Sequence, residues 1–270
     1  LSSSSAASDV YKRQVFSLAG LVMLFRPPAF MEQRLSPYKT LSVLSQALDT
    51  RHTLTEWDAT ARVDVVESSA IHVMPGLSLL SPVGPPPQAG LMLDGDNLMP
   101  ITGLSPDAVE AAVLADHLPI GLAYRLRPYG RCLIIEAGTG MDVLWALASG
   151  AERVTAVEEN RLVIETIQNN FDDFTGGLYT HPRVTVINQS GRVYARQLGT
   201  EPGTESFDVV VVALTDPHRP VTSGAYSLTE DYVYTVRAMV DYLGTLQDDG
   251  LLVVTRWLQT PPSESGRLFG

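Results

Sequence analysis

One cysteine in 270 residues leaves no partner for an internal disulfide and no thiolate cluster for a metal. That residue, Cys132, sits in an apolar run and is expected to be a small core side chain. Basic residues are scarce as well: 19 Lys and Arg face 30 Asp and Glu, for a formal net charge of −11. A non-specific nucleic-acid binder needs a basic face, so that class is excluded. The acidity suits a cationic substrate, although many soluble proteins share it. His52, His72, His117, His181 and His218 show neither H-x-x-x-H nor H-E-x-x-H spacing, and no G-x-S-x-G elbow occurs. No metal is called for, and a hydrolase triad has no support. The apolar run at residues 15–25 is shorter than the roughly 20 residues a membrane span needs.

Hydrophobic residues make up 45% and charged residues 18%, which allows a packed core. Residues 1–14 are Ser/Ala-rich without periodicity and are expected to be a non-native leader. Residues 15–35 form a hydrophobic segment with two readings, a buried or interfacial helix or the end of a membrane helix; Arg26, Pro27 and Pro28 close the apolar run. Residues 36–125 read as a small β-rich domain. ARVDVVES (61–68) alternates apolar and polar positions, and IHVMPGLSLL and GLMLDGDNLMPI are cut by Gly and Pro turns. A short helix begins at Ser105-Pro106. From residue 126 to 270 apolar strands alternate with helices: RCLIIEAG, RVTAVE, RVTVIN, FDVVVVAL and GLLVVTRW are the strands, and residues 227–246 read as one long amphipathic helix. This pattern predicts an α/β fold with a parallel sheet covered by helices on both faces. In such sheets a ligand binds at the carboxyl ends of the strands, where strand order reverses. The C-terminus is expected to be truncated soon after the fifth strand.

The turn after the first of these strands reads Glu136-Ala137-Gly138-Thr139-Gly140-Met141-Asp142. Gly138 and Gly140 permit a tight bend, and a helix starting near Asp142 points its amides at the ligand. Val143 holds the place of a third glycine in G-x-G-x-x-G, so the motif is incomplete. The second strand ends in Glu158, twenty positions after Gly138, where an acid accepts hydrogen bonds from ribose hydroxyls. Asp142 would repel a pyrophosphate, whereas Asp142 or Glu136 suits a positive charge. The combination favours a sulfonium nucleoside over a dinucleotide.

The runs CLIIEAGTGMDVLWALASGAERVTAVEEN, HPRVTVINQSGRVYARQ and FDVVVVALTDPHRPVTSGAYSLTEDYVYT resemble the spermidine/spermine synthase family of polyamine aminopropyltransferases. They look closest to bacterial members in which such a domain follows several membrane helices. GLMLDG resembles the hairpin of that family's small β-domain. The resemblance spans residues 36–258. It implies a class I methyltransferase-like, Rossmann-like fold, decarboxylated S-adenosylmethionine as co-substrate, and a putrescine-like amine as acceptor. It also implies a homodimer and a cytoplasmic domain, tethered to the inner membrane if residues 15–35 end a membrane helix. Glu136, Gly138, Gly140, Asp142, Glu158, Ser190 and Gly191 are the expected co-substrate contacts, and Asp216 the expected catalytic acid.

The departures from the family pattern are specific. Its turn approximates G-G-G-D-G-G, so its acid is Thr139 here. The acid that reads the adenine amino group is Ser190. In the motif D-S-S-D-P the first acid, the proton acceptor, is Ala213, whereas the second survives as Asp216. Loss of a positioned base lowers such a rate by ~10²–10⁴-fold. Two rivals therefore stand beside the aminopropyltransferase: a methyltransferase using S-adenosylmethionine, and a non-catalytic nucleoside- or amine-binding domain of a membrane protein.

Overall fold

The computed structural model describes residues 3–25, 35–200, 206–214 and 232–257. The chain divides into two compact units, residues 1–37 and 38–270. In the first, α1 (Ser3–Phe25) runs through both the Ser/Ala-rich leader and the apolar segment. Val15, Phe16, Leu18, Leu21 and Val22 along it are exposed. Among the described residues no helix is long and apolar enough to cross a membrane.

The second unit opens with a short helix α2 (Thr40–Leu44) and four antiparallel strands, β1 (Arg51–Trp57), β2 (Arg62–Glu67), β3 (Gln88–Leu93) and β4 (Asp96–Thr102), ordered β1-β2-β3-β4. The hairpin between β3 and β4 turns at Asp94 and Gly95, both at positive φ. Helices α3 (Val109–Asp116) and α4 (Gly121–Leu126) lead into the parallel sheet. There follow β5 (Arg131–Ile135), α5 (Met141–Ala148), β6 (Arg153–Glu158), α6 (Arg161–Asn170), α7 (Asp172–Thr175), β7 (Val184–Asn188), α8 (Gly191–Thr200), β8 (Phe207–Val212), α9 (Val236–Leu243) and β9 (Leu246–Val254). Its order is β7-β6-β5-β8-β9, all parallel. The order reverses between β5 and β8, and the crevice opens at their carboxyl ends.

The apolar strands are explained by burial on both faces. Successive side chains of a strand point to opposite sides. Cys132 and Ile134 enter one hydrophobic cluster, while Leu133 and Ile135 enter another. Val209 and Val211 divide from Val210 and Val212 in the same way. Each such side chain contributes roughly 1.5–3 kcal/mol on burial, so a polar residue at any of these positions would be costly. The first cluster also contains Val63, Val65, Leu91 and Ile101 of the small sheet, so the two sheets share one core.

The long helix expected over residues 227–246 is interrupted. Within the described residues a 3-10 turn (Tyr232–Tyr234) precedes α9. Thr235 is extended, and its hydroxyl accepts a hydrogen bond from the Ala238 N–H at 3.2 Å, which starts the helix anew. Tyr232 and Val236 are exposed rather than packed.

Candidate functional site

Strand β5 ends at Ile135, and the chain then bends through three left-handed residues: Glu136 at φ 57°, Gly138 at φ 56° and Gly140 at φ 90°. Gly140 caps α5, and its carbonyl accepts from the Leu144 N–H at 2.9 Å. A Cβ here would lie 2.6 Å from Leu178 Cδ2 and 3.1 Å from Tyr179 Cε1, so glycine is required by both conformation and space.

Glu158 ends β6 and is only 7% exposed. One carboxylate oxygen accepts the Gly138 N–H at 2.8 Å and the other the Asn160 N–H at 2.8 Å. Burial pushes its carboxyl above the ordinary range, against the opposing pull of these two amides. A carboxylate offers about four lone-pair sites, so two bonds leave it able to accept more. The acid is thus part of the bend as well as a candidate ligand for a sugar.

Residues not singled out in the sequence hold this acid. Asn160 caps α6, its side chain accepting from the Leu162 and Val163 N–H groups. Asn188 donates to the carbonyls of Glu158 at 3.0 Å and Glu159 at 2.9 Å, tying β7 to the tip of β6. The buried Tyr179 hydroxyl donates to the Gly138 carbonyl at 2.6 Å. Asn160 had a local signal, an N-cap residue before an amphipathic run. Tyr179 and Asn188 had none.

Thr139, which stands where the family has an acid, is buried and its hydroxyl donates to the Pro100 carbonyl of β4 at 2.7 Å. The position links the bend to the small sheet. Asp142 lies half-buried in the first turn of α5, where its charge acts on the buried phenols of Tyr124 and Tyr179. Burial raises its carboxyl from 3.8 to about 6. At neutral pH the group is still ionised, and a cation nearby would relieve the cost of that charge.

Asp142 supplies a testable pH dependence. Its folded value lies above its unfolded value, so the folded state binds the extra proton and stability falls as pH rises from about 4 to about 6. Asp142→Asn is therefore expected to raise stability at pH 7.5 by about 1–2 kcal/mol, part of the shift being offset by the favourable helix terminus. The gain should vanish below about pH 4. Thermal melts across pH 4–8 check this, and a melting difference that does not grow with pH contradicts it.

Ser190 is half-buried and its carbonyl accepts the Tyr194 N–H at 3.0 Å, so it opens α8. Gly191 packs against β5: a Cβ there would sit 2.5 Å from Ile135 Cγ2 and 3.2 Å from Glu136 Oε1. Ala213 is buried just past β8, and its N–H donates to the Ile135 carbonyl at 3.0 Å. The bend, Glu158, the start of α8 and Ala213 thus gather at the carboxyl ends of β5, β6, β7 and β8. Asp216 lies outside the described residues.

A five-stranded parallel sheet covered on both faces, with a glycine bend after its first strand, defines a Rossmann-like domain of the class I methyltransferase type, here preceded by a small antiparallel sheet. Residues 123–255 match the spermine/spermidine synthase domain, so this segment of the chain is a domain of the spermine/spermidine synthase type. Over 123 residues, 46% of this chain and 34% of the relative, it is 30% identical to a polyamine aminopropyltransferase of Korarchaeum cryptofilum. It is 32% identical over 123 residues to one of Mycobacterium tuberculosis, covering 45% of this chain and 22% of that protein. The aligned segment is thus about a third or less of these relatives. A crystal structure of spermidine synthase in complex with the transition state analogue AdoDATO superposes with a TM-score of 0.50 at 19% identity, covering 81% of this chain and 60% of that one. That likeness concerns the fold.

Proposed function

We propose that the domain binds decarboxylated S-adenosylmethionine across the glycine bend and transfers its aminopropyl group to a small cationic amine of the putrescine class. The observation that carries this reading is the union of Glu158 with the bend. A buried carboxylate, already bonded to the Gly138 amide at 2.8 Å, stands beside two left-handed glycines at the strand tips. Remaining lone pairs of Glu158 would accept the ribose hydroxyls, and the start of α8 at Ser190 and Gly191 would border the adenine. The negative charge of Glu136 and Asp142 suits the sulfonium. The curated relatives, named as polyamine aminopropyltransferases, support the same substrate class.

In the transfer, the acceptor nitrogen forms a bond to the carbon next to sulfur. The C–S bond breaks, and its electron pair stays on sulfur to give neutral methylthioadenosine. The proton on the product amine must leave to a carboxylate or to water. Asp216 is the acid the resemblance offers for holding the amine. Assembly as a homodimer, and a cytoplasmic placement tethered to the inner membrane through residues 15–35, rest on the resemblance alone.

A second reading, methyl transfer from S-adenosylmethionine, has one observation in its favour. Arg256 stacks over the Tyr234 ring, 3.9 Å from its centroid, near the Ala213 carbonyl, where a cofactor carboxylate would find a positive charge. Supplying the protein with putrescine and either form of the co-substrate separates the readings. Methylthioadenosine release is the expected result. S-adenosylhomocysteine would instead establish methyl transfer, and nucleoside binding without turnover a sensing domain.

A further inference from the structure

We infer that Asp142 makes this site select the decarboxylated co-substrate: its carboxylate holds the terminal ammonium of the aminopropyl tail and repels a tail that carries a carboxylate. The inference rests on the aminopropyl-transfer reading and names the residue that sets its co-substrate.

The bend itself offers the tail no acid. The Thr139 hydroxyl is spent on the Pro100 carbonyl at 2.7 Å, and both Glu158 oxygens accept backbone amides. Glu136 turns its Oε1 toward Gly191, which abuts Ile135 and so lies on the face of the second hydrophobic cluster. Asp142 stands three residues beyond Thr139, in the first turn of α5. That helix covers the opposite face: Val143, Leu144 and Trp145 pack in the cluster of Cys132 and Ile134. Buried Ala213 belongs to the same cluster. Asp142 therefore lies on the side of the sheet where β8 ends without an acid, at the strand tips where a ligand sits.

The Asp142 carboxylate lacks a partner. Among the described residues neither a hydrogen bond nor an ion pair reaches it, although the residue is half-buried. Its charge acts on the phenols of Tyr124 and Tyr179, so these two rings flank it. Tyr124 is only 4% exposed, and its enclosed hydroxyl bonds to nothing. Buried polar groups are ordinarily satisfied, so an orphaned hydroxyl close to an unpaired carboxylate is an incomplete set. A primary ammonium completes it, because its three N–H groups can donate to the carboxylate and to the phenol oxygen. Burial has raised the Asp142 carboxyl to about 6, so the charge is held at a cost that a bound cation would relieve. The tail of S-adenosylmethionine carries the same ammonium but adds a carboxylate. Residues 132–152 contain no Lys, Arg or His to offset that second negative charge beside Asp142.

Three thioethers that share the adenosine and differ only in the tail read this subsite without turnover. Methylthioadenosine has an uncharged tail, decarboxylated S-adenosylhomocysteine an ammonium, and S-adenosylhomocysteine an ammonium and a carboxylate. Calorimetry on the parent protein is expected to show the second bound tightest, by about ten-fold or more over the other two. Asp142→Asn, the variant expected above to be the more stable at pH 7.5, should bring all three within about three-fold, with methylthioadenosine affinity changed less than that. A purely structural role would weaken the three together, and that result overturns the inference, as does a preference unchanged in the variant. A parent that binds all three alike, or S-adenosylhomocysteine best, also overturns it and spares the nucleoside site. One that binds none ends the functional reading as well.

Discussion

Glu158→Ala is expected to weaken methylthioadenosine binding by about 10²-fold or more and to lower stability at the same time. Two charge-assisted hydrogen bonds to ribose hydroxyls would be lost, each contributing roughly 1.5–3 kcal/mol, and every 1.4 kcal/mol is a factor of ten in affinity. Stability responds separately. The substitution strips the Gly138 and Asn160 amides of their acceptor, and an unsatisfied buried donor costs about 1–3 kcal/mol. Relief of a desolvated charge offsets part of this, because burial has raised the Glu158 carboxyl. A net loss of about 1–3 kcal/mol is the result to look for in chemical denaturation. Titration calorimetry on the folded variant decides the functional half. If that variant binds the nucleoside as tightly as its parent, Glu158 braces the bend and touches no sugar.

Gly140→Ala should be the most damaging small substitution at the bend. A left-handed non-glycine residue costs roughly 1–2 kcal/mol. Here the new methyl would also meet Leu178 Cδ2 at 2.6 Å and the Tyr179 ring at 3.1 Å. Overpacking of that kind adds about 1–3 kcal/mol, for a total near 2–5 kcal/mol. For a unit of this size that is a drop of roughly 5–15 °C in melting temperature. Tyr179 holds the Gly138 carbonyl at 2.6 Å, so displacing its ring should also loosen the bend and weaken nucleoside binding. A melting temperature within a degree of the parent would show that Leu178 and Tyr179 yield freely and that the bend is not tightly fixed.

The sheet and the place of the site were legible because their signals are local. Residues 131–135 and 207–212 are short apolar runs, as strands buried on both faces must be, and Glu158 follows the glycines at a distance set by one helix and one strand. What stayed hidden depends on contacts distant in sequence. Thr139 reads as a lost acid until its hydroxyl is seen on Pro100, 39 positions earlier. Tyr179 reaches Gly138 across 41 positions. The glutamate in place of the first glycine was visible at Glu136, but its left-handed backbone and its register beside Ala213 were not. The break before α9 was missed because Thr235 fits an amphipathic pattern, while its hydroxyl ends one segment and begins the next.

Because Val63, Val65, Leu91 and Ile101 pack in the same cluster as Cys132, Ile134 and Trp145, neither half of the larger unit is an interchangeable module. A chimera that grafts a relative's hairpins onto this parallel sheet would have to import the matching underside too. The seam between the halves would then be inherited as one block, with substitutions on its two sides tracking each other.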